Sequence, residues 1–174
     1  SRWKGGSFAQ MLHLNRDVNT HLFNGVVEYS AADGQVQKAE RWMAKLDSTK
    51  GTQPNIMALN SLIQATTRKD DLAKAEDWFS RPSQPAIHPE LGDLSLNAES
   101  YDIMVQKASE VGDLVRTEKY LEECISARLR PGRQSFFKAV GALLRGGEVK
   151  RAHRWLEELV ERGCTDCARF SPEE

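Results

Sequence analysis

The sequence predicts an all-α protein, a short right-handed α-solenoid of about four helix-turn-helix hairpins. Three observations support this fold class. A pair of sequence blocks recurs along the chain, apolar residues in each unit fall twice at helical spacing, and glycine or proline stands where helices should end. Each unit of such an array buries its apolar face only against its neighbours. We therefore expect a surface that binds another macromolecule.

The first recurring block opens each unit with an aromatic residue or leucine. Its copies are Phe23-Asn24-Gly25-Val26-Val27, Leu59-Asn60-Ser61-Leu62-Ile63, Tyr101-Asp102-Ile103-Met104-Val105 and Phe136-Phe137-Lys138-Ala139-Val140. The second block follows at a fixed offset, as Ala39-Glu40-Arg41-Trp42-Met43, Ala75-Glu76-Asp77-Trp78-Phe79, Thr117-Glu118-Lys119-Tyr120-Leu121 and Ala152-His153-Arg154-Trp155-Leu156. Apolar residues three, four and seven apart around each block predict amphipathic helices.

These helices pair into four units, in residues 20–55, 56–97, 98–132 and 133–167. Residues 1–19 form a basic N-terminal extension, and residues 168–174 form a tail. The turn between paired helices holds Gly34, Gly112 or Gly147, where a left-handed residue would close the first helix. Asp70 takes that place in the second unit. The small residues Ala39, Ala75 and Ala152, with Thr117 in the third unit, mark the closest approach of the two helices.

The second unit is longer than the others because of a proline-rich insertion at residues 81–97. Pro82, Pro85 and Pro89 exclude a continuous helix there, so the preceding helix should end near Ser80. We favour a tolerated surface loop. The alternative is a docking element for a partner, with these prolines and Ile87 as the candidate contacts.

Composition limits the classes of function. The 174 residues carry 24 basic and 25 acidic side chains, a net charge of -1, which gives no general attraction to phosphate. No apolar run approaches the roughly 18 residues of a membrane span, so membrane insertion is not expected. The three cysteines do not form a disulfide framework, which favours a reducing compartment. Residues 1–16 contain Arg2, Lys4 and Arg16 without an acid, which is typical either of the remnant of an organelle-targeting segment or of a flexible basic lead-in.

Sites for metals or catalysis are weakly supported. Cys164 and Cys167 have the spacing of half a zinc site or of a redox pair, but no second pair lies at metal spacing. The four histidines (His13, His21, His88 and His153) suggest no catalytic partnership. We therefore predict no enzyme activity, no cofactor, no metal and no small-molecule substrate. The recurring Trp42, Trp78, Tyr120 and Trp155 are interpreted as packing residues of the second helices, in preference to a ladder that stacks bases.

The period, the blocks and the punctuation resemble the pentatricopeptide repeat family, over roughly residues 20–167. The resemblance implies that the first helices line a concave groove, which in many members binds single-stranded RNA at one base per repeat. Two residues per unit would read the base, here Asn24 with Asn55, Asn60 with Asn97, Asp102 with Gly132, and Phe137 with Cys167. Asn with Asn resembles the combination associated with pyrimidines. The family also places an apolar residue beside the base, matched here by Met57, and a basic residue near the backbone path, matched by Arg68 and Arg145.

Two partner classes follow. The favoured one is protein: a scaffold or accessory subunit of a larger organellar assembly, in a plastid or mitochondrion, soluble or peripherally attached to its complex. The other is single-stranded RNA, in organellar RNA processing or translation. The balanced charge and the loss of reading side chains at Gly132, Phe137 and Cys167 favour the scaffold. So do the polar residues His21, Glu99 and Gln134, which occupy three of the four positions beside the expected bases.

Overall fold

The computed structural model describes residues 16–48, 53–69, 71–84, 88, 91 and 94–161. Within these ranges it contains eight α-helices, one 3-10 turn at Arg81–Ser83 and no strand. The helices are α1 (Arg16–Ala32), α2 (Val36–Ser48), α3 (Ile56–Arg68), α4 (Leu72–Ser80), α5 (Ala98–Val111), α6 (Leu114–Ser126), α7 (Arg133–Arg145) and α8 (Val149–Glu161). The all-α fold of paired helices predicted from the sequence is confirmed.

The chain divides into two compact units, Ser1–Ile103 and Met104–Glu174, and the division falls inside α5. In the first unit α1 packs on α2 and α3, and α3 packs on α4. In the second unit α6 contacts α7, and α7 packs on α8. Each helix therefore contacts neighbours that are close in sequence, as expected for a repeat protein.

The predicted apolar stripes form the core of each unit. In the first unit the buried side chains include Phe23, Val27, Leu59, Leu62 and Ile63, and in the second they include Met104, Val105, Leu121, Phe136 and Leu143. The small residues Ala39, Ala75, Thr117 and Ala152 are also buried, at the positions where paired helices were expected to approach closely.

Two tryptophans pack edge-to-face on the aromatic residue that opens their own hairpin. The ring centroids are 5.5 Å apart for Phe23 and Trp42, and 6.1 Å apart for Phe136 and Trp155. Such pairs add about 0.5–1.5 kcal/mol to the burial of the rings. The tryptophans therefore join the two helices of a hairpin, as the sequence indicated.

The helix ends follow local chemistry. Gly34, Gly112 and Gly147 have φ angles of 75°, 76° and 78°, the left-handed conformation that glycine adopts without a Cβ penalty. Asp70, the expected substitute in the second hairpin, lies outside the described residues. The next residue, Asp71, caps α4 by accepting a hydrogen bond from the Lys74 backbone N–H, at 3.0 Å.

The structure differs from the sequence prediction at the start of the first hairpin. Helix α1 already includes residues 16–19, which the sequence argument assigned to the N-terminal extension. Residues 16–19 contain no glycine or proline, so nothing prevents one more helical turn.

The proline-rich insertion is described only in part. Helix α4 ends at Ser80, and Pro82 lies in the following 3-10 turn, where it is buried. Burial argues against Pro82 as a docking contact. Pro85, Ile87 and Pro89 lie outside the described residues, as do Cys164 and Cys167.

Candidate functional site

The side chain of Asn24, the first expected base reader, is only 2% exposed. Its Nδ2 donates hydrogen bonds to the carbonyl oxygens of Thr20, at 2.9 Å, and Gln53, at 3.0 Å. Its Oδ1 accepts from the backbone N–H of Asn55, at 2.9 Å. Both donors of the amide are therefore occupied within the protein, and Asn24 ties α1 to the segment that enters α3.

Asn60, the second expected reader, is 3% exposed and occupies the matching position in α3. Its Nδ2 donates to Asn97 Oδ1, at 3.1 Å, and to Glu99 Oε2, at 3.3 Å. Its Oδ1 accepts from Ser100 Oγ, at 2.7 Å. Both N–H donors of this amide are also hydrogen-bonded within the protein, and the side chain links α3 to the start of α5.

The expected partners of these readers, Asn55 and Asn97, hold the first turns of the following helices. Asn55 Oδ1 accepts from the Ala58 backbone N–H, at 2.7 Å. Asn97 Oδ1 accepts from the Ser100 N–H, at 3.0 Å, and Ser100 Oγ accepts in return from the Asn97 N–H, at 3.2 Å. This reciprocal arrangement is a capping box. Helix capping accounts for asparagine at these two positions without any ligand.

The other two expected readers differ from the asparagines. Asp102 is half-buried, and Gly132 precedes α7 without a side chain to offer. Phe137 is 41% exposed, and the Arg133 guanidinium lies 5.4 Å from its ring centroid. Gln134, Lys138 and Arg145 complete a shallow hollow of about 540 Å³ around the ring.

We call this hollow the Phe137 face, and it can stack a planar ring beside positive charge. Helix α7 contains Arg133, Lys138 and Arg145 and no acidic residue. Lys138 Nζ is engaged, at 2.9 Å from Glu110 Oε1 and 3.2 Å from Gln106 Oε1. Arg133 and Arg145 form no ion pair with any residue that the structure describes. This face was not predicted from the sequence, because Phe137 was interpreted there only as a reader of base edges.

Met57 and Arg68, the remaining RNA-binding candidates, both lie on the surface of α3. Met57 is 61% exposed in the first turn, and Arg68 is exposed at the last residue of the helix. Asn60, the expected base reader of this helix, is buried. Met57 and Arg68 therefore do not accompany an exposed amide at the reading position.

A contact that the sequence argument did not foresee joins the second helices of neighbouring hairpins. Glu40 of α2 accepts from Trp78 Nε1, at 3.3 Å, and its Oε1 lies 2.8 Å from Lys74 Nζ in α4. Glu118 of α6 accepts from Trp155 Nε1, at 2.9 Å, and from Arg151 of α8. We call these two contacts the glutamate bridges.

The second bridge carries a perturbed carboxylate. Burial acts to raise the pKa of Glu118, but the hydrogen bonds from Arg151 and Trp155 and the charges of Arg151 and Arg154 outweigh it, so the pKa is lowered. The same bond raises the pKa of Arg151. The sequence did contain a signal for the bridges, since glutamate follows the small packing residue at Glu40, Glu76 and Glu118.

Metal and membrane chemistry find no support in the described ranges. No group of three histidine, cysteine, aspartate or glutamate side chains there could hold a metal ion. None of the helices described is both long and apolar enough to cross a bilayer.

Comparison with known proteins identifies the fold. Neither a protein-family model nor a curated protein sequence matches the chain. Solved structures do: the pentatricopeptide repeat protein PPR10 from maize matches over 81% of this chain with a TM-score of 0.66 and 17% sequence identity. PPR10 in complex with an 18-nt psaJ RNA element matches over 83% with a TM-score of 0.63 and 14% identity. This chain spans about a fifth of the length of PPR10, covering 19% and 20% of those two structures.

Proposed function

We propose that this chain, whose fold is that of the pentatricopeptide repeat proteins, is a non-catalytic recognition module that binds protein. It would serve as a scaffold or accessory subunit of a larger assembly in a mitochondrion or plastid. The observation that carries the proposal is the burial of the Asn24 and Asn60 amides, 2% and 3% exposed, with both donors of each amide bonded inside the protein. A base could bond to them only after those internal bonds were broken.

Electrostatics agree with this proposal. Nucleic-acid affinity comes largely from neutralised phosphates, whereas this chain has a net charge of -1. Several basic side chains are moreover paired to acids within the fold, among them Lys74 with Glu40, Lys138 with Glu110, and Arg151 with Glu118. Stacking contributes about 1–3 kcal/mol per base, which cannot supply specific binding at one or two units.

A titration with a pool of single-stranded RNA, combined with isolation of the native assembly, tests the proposal. A scaffold should show no saturable RNA binding up to about 100 μM protein, the weak end of non-specific affinity at physiological salt. The tagged chain, isolated from its source cells, should sediment as part of a larger complex. That complex should keep its sedimentation rate after ribonuclease treatment. Tight, strongly salt-dependent RNA binding together with ribonuclease-sensitive assembly would reject the scaffold.

Single-stranded RNA remains the second candidate, and the Phe137 face is the observation that favours it. An exposed ring beside Arg133 and Arg145 combines stacking with phosphate neutralisation. If RNA binds there, Phe137→Ala should lower the affinity by at least about fivefold, from the loss of about 1–3 kcal/mol of stacking. Tyr29→Ala is the matched control, because Tyr29 is a 70% exposed aromatic residue on α1.

A further inference from the structure

The glutamate bridges show which face of each second helix contacts the preceding hairpin. Lys74 in α4 and Arg151 in α8 each stand one residue before a buried packing alanine, Ala75 or Ala152. Lys74 Nζ lies 2.8 Å from Glu40 Oε1. Arg151 Nε lies 3.0 Å from Glu118 Oε2. In both units a basic residue at this position therefore binds a carboxylate of the hairpin before it.

The last hairpin extends the contact by one turn. Arg154, three residues after Arg151, lies 3.2 Å from Glu122 Oε1 and 3.5 Å from Glu118 Oε1. Two basic residues one turn apart on α8 thus face two glutamates one turn apart on α6. The two ion pairs fix the register between α6 and α8, because Arg151 binds Glu118 and Arg154 binds Glu122, one turn further along each helix.

The first hairpin carries the basic half of the same arrangement. Counting from its packing alanine, Ala39, the positions of Arg151 and Arg154 are occupied by Lys38 and Arg41 in α2. Both side chains are exposed, and neither forms an ion pair with a residue of the described ranges. We call Lys38 and Arg41 the α2 basic face.

The residues just before α1 do not provide the acidic half. Residues 1–15 contain Arg2 and Lys4 and no aspartate or glutamate. Residues 1–15 therefore offer no carboxylate to the α2 basic face, and the chain's own hairpins show what geometry of acidic helix fits it.

We propose that the α2 basic face docks an acidic helix of a helical hairpin in a partner protein. Two glutamates one turn apart on that helix would bind Lys38 and Arg41 as Glu118 and Glu122 bind Arg151 and Arg154. This inference deepens the proposed function and rests on it, since it assigns the scaffold a docking surface and a class of partner.

A second copy of this chain fits the face less well than such a partner. In α8 the positions of Glu118 and Glu122 hold His153 and Glu157. His153 Nε2 lies 3.2 Å from Glu157 Oε1, so the single carboxylate is already in contact with the histidine. Wild-type protein should therefore be monomeric when purified alone.

Restoring the missing glutamate tests the face in the whole chain. His153→Glu creates the acidic pair in α8, and His153 has a side chain that is 72% exposed, so the fold should tolerate the change. Sedimentation velocity should then show concentration-dependent head-to-tail association that weakens with salt. Adding Lys38→Glu and Arg41→Glu should abolish it. Adding Arg130→Glu and Arg133→Glu, the same charge change at exposed residues of the second unit outside α8, should leave it intact.

A peptide provides the second arm, in case residues after Glu161 cover the end of α8. The probe is a stapled, fluorescent peptide of residues 114–126 with Cys124→Ser, which presents Glu118 and Glu122. The 174-residue chain should bind it about tenfold more tightly than the Lys38→Glu, Arg41→Glu variant does, because the variant loses two ion pairs and opposes like charges. The same peptide with Glu118→Gln and Glu122→Gln should bind the wild-type protein weakly. Its affinity should match that of the original peptide for the Lys38→Glu, Arg41→Glu variant.

The two arms together decide the proposal. Association in either arm that requires Lys38 and Arg41 supports it, and absence of such association in both overturns it. If the wild-type protein associates with itself through Lys38 and Arg41, the occupant of the α2 basic face is a second copy of this chain, and the proposal of a different partner protein is wrong. Failure here leaves the ribonuclease-resistant assembly as a separate result, so failure of the docking surface is distinguishable from failure of the scaffold.

Discussion

Asn24 and Asn60 show how one side chain can serve two incompatible uses. A primary amide can bond to a base edge, but it can equally satisfy backbone groups where one helix meets the next. In the structure both amides satisfy groups within the protein, and each side chain forms three hydrogen bonds: two donated by Nδ2 and one accepted by Oδ1. Polar groups buried at 2–3% exposure need such partners.

Replacing Asn60 separates the two uses. Asn60→Ala removes the buried bonds to Asn97, Glu99 and Ser100, so we expect the free energy of unfolding to fall by about 2 kcal/mol. Urea denaturation followed by circular dichroism measures the change. Ser61→Ala, at the neighbouring half-buried position of α3, should change stability by less than about 0.5 kcal/mol. Unchanged stability of Asn60→Ala, with weakened RNA binding, would instead identify a base reader.

At the scale of the helix, glycine has opposite effects inside α1 and after α5. A Cβ built at Gly25 or at Gly112 meets no atom within 4 Å, so space does not distinguish the two sites. The two sites differ in backbone conformation, because Gly112 has φ +76° whereas Gly25 lies in the interior of α1. These two positions therefore isolate conformational preference from packing.

We expect Gly25→Ala to stabilise the protein by about 0.5–1 kcal/mol, since alanine is the better helix former. Gly112→Ala should destabilise it by about 1–2 kcal/mol, because it forces a side chain into the left-handed region. Thermal and urea unfolding of the two variants measure whether each change raises or lowers the free energy of unfolding. Changes of the same sign would contradict the assignment of Gly112 as the residue that closes α5.

The glutamate bridge between α6 and α8 predicts an acid dependence of stability. The pKa of Glu118 is lowered from its ordinary value of 4.5. The unfolded chain therefore binds more protons than the folded one in this range. The stabilisation is complete above pH 4.5 and is lost as the pH falls through the lower folded pKa.

Glu118→Gln should cost about 1–2 kcal/mol near pH 7 and progressively less as the pH falls from 4.5 towards the lowered folded pKa, through which the wild-type carboxylate itself takes up a proton. Urea unfolding from pH 7 to pH 3 measures the convergence. Some acid sensitivity should remain in both proteins, because hydrogen bonds from Arg116 also lower the pKa of Asp113, which caps α6. Glu157→Gln, at a 63% exposed side chain, is the control, and parallel curves for Glu118→Gln and wild type would refute the prediction.

The elements could be predicted from sequence because their signals are local. Helices α3, α5 and α7 begin at Ile56, Ala98 and Arg133, the residues with which the repeat units were expected to open. Periodicity, turn glycines and capping asparagines all act within a few residues. The same local logic could not limit α1 to Thr20, because its upstream residues carry no stop signal.

The sites were harder to predict because their contacts join distant residues. Glu40 and Trp78 are 38 positions apart, and Asn60 and Asn97 are 37 apart. Whether an asparagine is buried or a glutamate bonded depends on how consecutive hairpins stack, which the pattern of one hairpin does not specify. The Phe137 face is different, since all its lining residues lie in α7; it was missed because Phe137 was considered only as a reader of base edges.

At the scale of the whole molecule, a repeat protein distributes its stability over nearest neighbours. The two glutamate bridges occur once in each compact unit, Glu40 in the first and Glu118 in the second. Each joins second helices of adjacent hairpins, and no described bridge residue is shared between them. Loss of one bridge should therefore loosen its own hairpins more than distant ones.

Hydrogen exchange measured by mass spectrometry tests this locality with two matched variants. Glu40→Gln should speed amide exchange in α2 and α4, whose bridge to Lys74 and Trp78 is weakened. Glu118→Gln should speed exchange in α6 and α8 instead, through Arg151 and Trp155. The two patterns should be complementary along the chain, because local opening reports the contacts of each segment. Uniform acceleration over all eight described helices in both variants would show that the chain opens as one cooperative body, and the nearest-neighbour account of its stability would then be wrong.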